Sequence, residues 1–446
     1  MNIIKKIAKA GLWFIVTLTV LFFIFFAPIN DKPLEKQSFY HKNIQAVNKV
    51  KLDVYPTQQT LKVAWRKINI TPHEFIAMAG YRPRNAFETV HDSLFAKVMV
   101  MDNGSAKFAM ISLDLLLFPP ALKEKLNSYK DELHITDYYL SATHTHNGFG
   151  CWNNSFAGEI IAGTYSEALL DSLTEKIIRS IKIAQQDVQP AKLLYTEIQA
   201  DELVINRLED NAPVDGTVRA LQFVRADSSK ALWLTFSGHP TSISKKSLAL
   251  SADYPAVIAR EMVNDGVEFT MFMAGMVGSH RVRDNGLSDF DLVEKTGQAI
   301  AEKIHRATWV IQPDTLPVVY SKVPLQFGYP QVRITSHMKV RSWLFNAALN
   351  PLQGEIQLLS VGNINFISTP CDFSGELFIN NIKNTINQPV VITSFNGDYV
   401  GYITEDKYYF TSKKEEVRAM NWVGPYHGEM FATIINTLLK KKESLP

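Results

Sequence analysis

Apolar positions along the chain fall into three patterns. The first is an unbroken run. After Lys5, Lys6 and Lys9, the stretch from Ala10 to Pro28, "AGLWFIVTLTVLFFIFFAP", carries no charge. A bilayer core is crossed by a helix of roughly 20 apolar residues, and cations on the N-terminal flank keep that end in the cytoplasm. A secretory signal peptide competes for the same segment, but its apolar core spans about 7–15 residues and ends in a small-x-small cleavage site. "FFIFFAPIN" offers no such site. Residues 1–29 are therefore expected to be an uncleaved signal anchor, a transmembrane helix that holds the rest of the chain on the extracytoplasmic side, periplasmic or extracellular.

Residues 30–60 are polar, lysine-containing and weakly periodic, as in a linker between membrane and domain. Beyond them the other two patterns alternate. "LFAKVMVM", "KFAMISLD", "YYLSAT", "ALWLTF", "EFTMFMAG", "INFISTP" and "VVITSF" are short runs rich in β-branched and aromatic residues and predict strands. Tyr165 to Gln186, Asp291 to Ala307 and Glu376 to Ile386 carry helical spacing. The expected fold is α/β, a mixed β-sheet core flanked by helices and preceded by one N-terminal transmembrane helix, with a single domain over residues 61–446. No internal repeat is visible.

Composition narrows the function classes. A chain of 446 residues, 46% hydrophobic and 20% charged, buries a large core. Its formal net charge of +2 provides no polybasic surface, which argues against nucleic acid as a partner. Two cysteines, Cys151 and Cys371, are too few for a disulfide framework.

Chemistry-bearing side chains follow the predicted strands. His144 and His146 come after "YYLSAT", and His239 comes in "SGHPTS" after "ALWLTF". Asp372 comes after "INFISTP", and Tyr399 and Tyr402 lie in "NGDYVGY" after "VVITSF". Ligands of α/β sheets bind outside the carboxyl ends of strands, where loops converge. Two imidazoles and a carboxylate suit Zn²⁺ with one position open for an activated water. The bland alternative is a set of separate loop histidines, each solvated or bonded to a backbone carbonyl. The H-x-H spacing puts both rings on one face only if the segment is a strand.

At these residues the chain resembles the neutral/alkaline non-lysosomal ceramidase family, from Leu61 to about His427. "INITP", "MAGY" and "VHDSLFAKVMVMDNG" are similar to the family's opening segment, and "SATHTHNG" to its Thr-His-Thr-His-Ser-Gly motif. "INR" at Ile205 to Arg207, "HPTS" at His239 to Ser242, "SADYP" at Ser251 to Pro255 and "YIT" at Tyr402 to Thr404 also correspond. The resemblance implies one catalytic Zn²⁺ held by His144, His239, Asp372 and Tyr402. It also implies that His146 contacts substrate or the bound water, and that Arg207 contacts polar groups of the substrate. The family's acidic ligand is a Glu in Pro-Gly-Glu, whereas this chain reads "PCD"; Asp is one methylene shorter, and Glu376 is the fallback. Tyr402 could equally be an ordinary buried tyrosine, and Arg207 could pair with Asp201 or Glu202 at the surface. The largest departure is Gly278 to Val282, "GSHRV", where Ser279 replaces the family's Asp and Arg281 stands where ceramidases have Ser. Ser279 is counted with His146 and Arg207 as a candidate catalytic residue. The C-terminal immunoglobulin-like domain of many members is expected to be absent.

The function implied by this resemblance is a membrane-anchored, zinc-dependent hydrolase of linear amides, N-acyl lipids such as ceramide, acting by attack of a metal-bound water. Its partners are a lipid or other N-acyl amide substrate and the membrane; the sequence says nothing of oligomeric state. Two alternatives remain open. One is a metal-dependent esterase or phosphoesterase, for which Asp114 is the extra carboxylate that a two-metal centre needs. The other is a non-catalytic surface binding protein, suggested by the altered "GSHRV" loop. Cys151 and Cys371 flank two ligand loops and either form a disulfide or remain two separate buried thiols.

Overall fold

The computed structural model describes residues 2–57, 59–81 and 84–445. The body is built on a sheet of eight principal strands. These are β1 (Lys62–Asn69), β2 (Phe95–Asp102), β3 (Lys107–Leu113), β4 (Asp137–Ala142), β5 (Gln189–Ile198), β6 (Val218–Arg225), β7 (Lys230–Phe236) and β8 (Val267–Ala274). Their order is β8-β7-β6-β5-β1-β2-β3-β4, with Val310–Ile311 added beside β5. A second sheet holds β9 (Val318–Pro324), β10 (Glu355–Val361), β11 (Ile364–Ser368) and β12 (Val390–Thr393).

One unit recurs three times in this topology. In β1–β4, β5–β8 and β9–β12, three strands form an antiparallel meander and the fourth pairs parallel to the third. A parallel neighbour cannot be reached by a hairpin. Each unit therefore crosses over through a helix: α3 (Pro120–Ser128), α6 (Tyr254–Met262) and α9 (Gly375–Asn381) respectively. The repeat is one of topology, not of residues, which is why the sequence does not display it.

Period-two alternation assigns the faces of the large sheet. Ala64, Val98, Val100, Ala109 and Ile111 pack against α5 (Glu167–Gln186) through Leu170, Leu173, Ile177 and Ile181, while Trp65, Met99, Phe108 and Met110 face the second sheet. Leu170, Leu173, Ile177 and Ile181 recur at helical spacing, and the Ser166 hydroxyl caps the start of α5 by accepting from the Leu169 N–H. The far face of the second sheet, with Val323, Ile356, Leu358 and Ile392, is covered by α2 (Ser38–Lys49), α9 and α10 (His427–Glu443). The result is four layers, helix on sheet on sheet on helix, with the predicted mixed α/β character.

The segment expected as a linker is part of this body. α2 buries Phe39, Asn43 and Val47. The Asn43 amide donates to Gln326 O at 2.7 Å and accepts from Gln326 N–H at 2.8 Å. Asp53–Tyr55 then pairs with β9 as an edge strand. Those buried positions recur every fourth residue, a helical stripe hidden by the segment's polar average. The apolar run itself forms α1 (Asn2–Phe25), of which Ile4–Phe25 is long and apolar enough to cross a membrane and is not buried against the body.

Candidate metal centre

The fourth strands of the three units end against one another. Ser141 of β4 donates its hydroxyl to Ser394 O at 2.8 Å, and Ser394 N–H donates to Ala274 O at 2.9 Å. Loops leaving β4, β7, β8, β11 and β12 therefore meet at one point, as the strand-end argument requires. Three sequence motifs brace each other there. Thr145 donates to Ser251 O at 2.6 Å, Ser251 N–H donates to Asn147 O at 3.0 Å, and Ser242 N–H donates to the Asp253 carboxylate at 3.0 Å.

His144 takes a left-handed backbone conformation, φ 64°, rare for a residue with a Cβ. The turn aims its ring inward, with Nδ1 donating to Leu116 O at 2.7 Å and the Phe395 ring stacked at 4.1 Å. Its Nε2 lies 3.0 Å from His239 Nε2, which lies 3.0 Å from His146 Nε2. One ring proton on His239 cannot serve both approaches. His239 Nδ1 sits 3.1 Å from Val277 O and 2.9 Å from Arg207 Nη1.

Asp372 completes the group. Its Oδ2 accepts from Tyr399 OH at 2.5 Å, whereas Oδ1 is buried without a hydrogen-bond partner, 3.3 Å from His144 Nε2. With His144 Nδ1 donating to Leu116, that contact sets the Nε2 lone pair against a carboxylate oxygen. Two buried acceptors facing each other are unfavourable unless a cation lies between them. Asp372 and Tyr402 are register partners in a short parallel pairing, which puts both side chains on one face, and the Tyr402 ring is parallel to that of His239 at 6.5 Å. Burial and the Asp372 carboxylate hold the Tyr402 phenol well above its usual range.

Electrostatics agree with a ligand role. Burial, then the charge of His144, Arg207 and Arg84, pushes His146 well below the usual histidine value. Burial, then Arg207 and the other two imidazoles, does the same to His239. Both rings are neutral near pH 7, as metal ligation requires. Among the described residues, His144, His146 and His239 form the one cluster of three or more His, Cys, Asp or Glu whose donor atoms converge this closely. The imidazoles of His144 and His239 with the unpartnered carboxylate oxygen fit a divalent metal ion, and His146 stands beside them with its own lone pair free.

Above the cluster opens a cavity of about 390 Å³, walled by Leu116, Leu117, Ile161 and Met420 on its apolar side and by Tyr81, Arg207, Lys245 and Glu416 on its polar side. Arg207 lies inside this cavity, not paired with Asp201 or Glu202 at the surface. It forms a close ion pair with Glu416. Burial would lower its pKa, but Tyr402, Glu416 and Asp372 raise it, so the guanidinium stays charged. A larger cleft of about 860 Å³ adjoins through Tyr399, and two of its carboxylates, Glu355 and Asp398, share the single cation Lys123 at 3.1 and 2.6 Å.

Other expected residues are placed elsewhere. Ser279 is fully buried and does not line the cavity; its hydroxyl accepts from Glu376 N–H at 3.2 Å and its carbonyl from Arg207 N–H at 2.8 Å. The altered loop thus supports the ligand strands from behind, and Arg281 turns outward to Asp284 at 3.0 Å. Glu376, the fallback ligand, is occupied by Asn206, Tyr408 and Lys407 at 3.0, 2.7 and 2.8 Å. Asp114 is a buried partner of Lys97 at 3.0 Å, so the carboxylate wanted for a second metal is already neutralised. Cys151 and Cys371 are free thiols in different hydrophobic clusters, not a disulfide. Tyr81, Lys245, Glu416 and the bracing role of Tyr399 were missed. Tyr81 and Tyr399 were within reach, inside the quoted "MAGY" and "NGDYVGY", but nothing in the sequence singled out Lys245 or Glu416.

Comparison with known proteins agrees with this arrangement. Residues 63–279 match the family described as neutral/alkaline non-lysosomal ceramidase, N-terminal. The fold is similar to the crystal structure of neutral ceramidase from Pseudomonas aeruginosa, with a TM-score of 0.74 and 16% identity, over 87% of this chain and 75% of that one. A ceramidase complexed with C2 gives a TM-score of 0.71 and 16% identity over 87% and 76% of the two chains.

Proposed function

With residues 63–279 belonging to the neutral/alkaline non-lysosomal ceramidase family, we propose that this chain is a membrane-anchored, zinc-dependent hydrolase of amide bonds in N-acyl lipids such as ceramide. The observation that carries the reading is the unpartnered Asp372 Oδ1 facing the His144 lone pair beside two further imidazoles, at the floor of the cavity. His144, His239, Asp372 and Tyr402 would hold the ion. Zn²⁺ bound there supplies Lewis acidity towards the amide carbonyl and a water acidic enough to attack near pH 7. Tyr399 and the Leu116 carbonyl orient two of the ligands.

The remaining work falls to the chain's own groups. His146 is neutral near pH 7 and its Nε2 lies at the centre, so its lone pair takes the proton lost by the attacking water and returns it to the leaving amine nitrogen as the carbon–nitrogen bond breaks. Arg207 fixes polar groups of the substrate from the cavity wall, and Leu116, Leu117, Ile161 and Met420 receive apolar parts of it. α1 anchors the body in the membrane where such substrates reside, on the extracytoplasmic side by the placement of Lys5, Lys6 and Lys9.

Elemental analysis of the chelator-free protein and of His144→Ala, with hydrolysis of N-acylsphingosine measured on both, tests this. About one zinc per parent chain, lost with turnover in the variant, is the expected result. A folded parent that binds no metal after zinc addition would overturn the hydrolase mechanism. A parent that binds zinc without cleaving any N-acyl amide would favour a binding protein.

A further inference from the structure

The end of α1 is bonded into the body. A helix leaves its last four carbonyls without intrahelical partners, and hydrocarbon provides no water to satisfy them. Here Phe23 O accepts from Arg341 Nε at 2.7 Å, Ile24 O from Trp343 Nε1 at 3.2 Å and Phe25 O from Arg341 N–H at 2.9 Å. The Phe25 and Trp343 rings are 5.9 Å apart, and Phe26–Pro28 continues as a strand paired with Met338–Val340. The anchor is thus docked at one place on the body and does not swing on a stalk.

That docking fixes a height. The 22 residues of Ile4–Phe25 span about 33 Å at 1.5 Å per residue, close to the roughly 30 Å hydrocarbon core. Phe25 therefore ends at the membrane–water interface, and Arg341 and Trp343 lie at headgroup level, where tryptophan is enriched. Trp343 opens α8 (Ser342–Leu349). α8 packs through Phe345 and Leu349 into the cluster that also receives Ala157 and Ile161 of α4 (Phe156–Ala162). Ile161 forms part of the cavity wall, while Phe156 and Ile160 on the outer face of α4 are 73% and 38% exposed and Trp343 is 51% exposed. Membrane-level helix and cavity wall are therefore neighbours, within about one helix diameter of 10 Å.

We infer that the body rests on the bilayer that holds α1, with Phe156, Ile160 and Trp343 entering the headgroup and acyl boundary and the cavity mouth opening onto that lipid surface. This deepens the proposed function by naming the route: an N-acyl lipid slides from the bilayer past α4 to the metal centre without crossing water. The docking surface follows from the anchor geometry, and the route rests on the amidase reading.

The test uses the full chain in phosphatidylcholine nanodiscs carrying nitroxide-labelled acyl chains. A fluorophore on Phe156→Cys should be strongly quenched. One on Ala226→Cys should not, since that exposed turn precedes the start of β7 whereas the site follows its end, about 20 Å away along the strand. Equal quenching at both positions, or none at Phe156→Cys, overturns the docking. In parallel, Phe156→Asp with Ile160→Asp should lower turnover of N-acylsphingosine in nanodiscs about tenfold and leave a soluble short-chain N-acyl amide unaffected. Equal loss on both substrates, or no loss on either, overturns the route. A parent inactive on both substrates sinks the amidase reading, and the quenching still decides the docking.

Discussion

Replacing Gly278 by alanine would damage the proposed metal centre from behind without touching a proposed ligand. Gly278 N–H donates to Phe373 O at 2.9 Å, which places its Cα directly beneath the Asp372 loop. A methyl there would overlap Asp372 O and lie 2.9 Å from both Asp372 C and Phe373 C. All three are backbone atoms, so no flexible side chain can give way. Carbon contacts are comfortable at about 3.5–4.0 Å, so the loop carrying Asp372 must retreat by at least ~0.6 Å. Overpacking of this kind costs about 1–3 kcal/mol. At about 2.1 cal/mol/K per residue of unfolding entropy, that lowers Tm by only about 1–3 °C in a chain of this size. The effect on function is larger, because a displacement approaching 1 Å at a reacting centre costs up to about 100-fold. Zinc affinity by chelator competition, kcat/KM on N-acylsphingosine and Tm should be measured on Gly278→Ala. The expected result is a 10- to 100-fold loss in the first two with a small fall in the third. Parent-like zinc affinity and turnover would refute the placement of Asp372 among the ligands.

Three further outcomes follow from the same geometry. Tyr399→Phe removes the hydrogen bond to Asp372 Oδ2 and should weaken zinc binding about 10- to 100-fold by chelator competition while the chain stays folded. Ser279→Ala should lower stability by about 1–3 kcal/mol in urea titration, because the buried Glu376 N–H loses its acceptor, and should leave kcat/KM at the parent's level; a large loss of kcat would restore Ser279 to catalysis. Burial pushes His427 down to about 4. The unfolded chain binds this proton below about 6.5 and the folded chain does not, so stability is intact above pH 6.5 and lost as pH falls towards 4, by about 3 kcal/mol for this group. His427→Phe should remove that share of the acid sensitivity, read as urea midpoints at pH 7 and pH 4.5.

The strands β2, β3, β4, β7, β8, β11 and β12 were legible because each is a short apolar run closed by a polar turn. "KFAMISLD" and "VVITSF" needed no more than that, whereas β1, β5, β6, β9 and β10 were not read from the sequence. The helical stripe of α2 was not legible, since three buried side chains among twelve residues do not raise the average above that of a tether. The site divided in the same way. The convergence of His144, His239 and Asp372 could be read because each follows a strand end, and strand ends are where a sheet brings distant residues together. Ser279 was singled out by comparison of the "GSHRV" loop with the family and not by a strand end, and the direction of a side chain leaving a turn depends on the turn. Here Gly278 lies against Asp372 and Phe373, and Ser279 turns its hydroxyl to the Glu376 N–H behind the ligand loop.

The shorter side chain of Asp372, the proposed acidic ligand, is accommodated by the same packing. A carboxylate with one methylene fewer reaches less far, so its backbone must stand closer to the histidines than a glutamate's would. Three contacts bring it there. Gly278 permits the β8 loop to touch the backbone of Asp372 and Phe373. Asp372 N–H donates to Gly401 O at 3.1 Å, closing the pairing that sets Asp372 beside Tyr402. Tyr399 OH then takes Oδ2 at 2.5 Å and turns Oδ1 towards His144. The approach of the Asp372 backbone in "PCD" therefore depends on a glycine at 278. Enlarging Asp372 to Glu in this backbone should crowd the centre, and it should be tolerated only with a second change that lets the loop retreat.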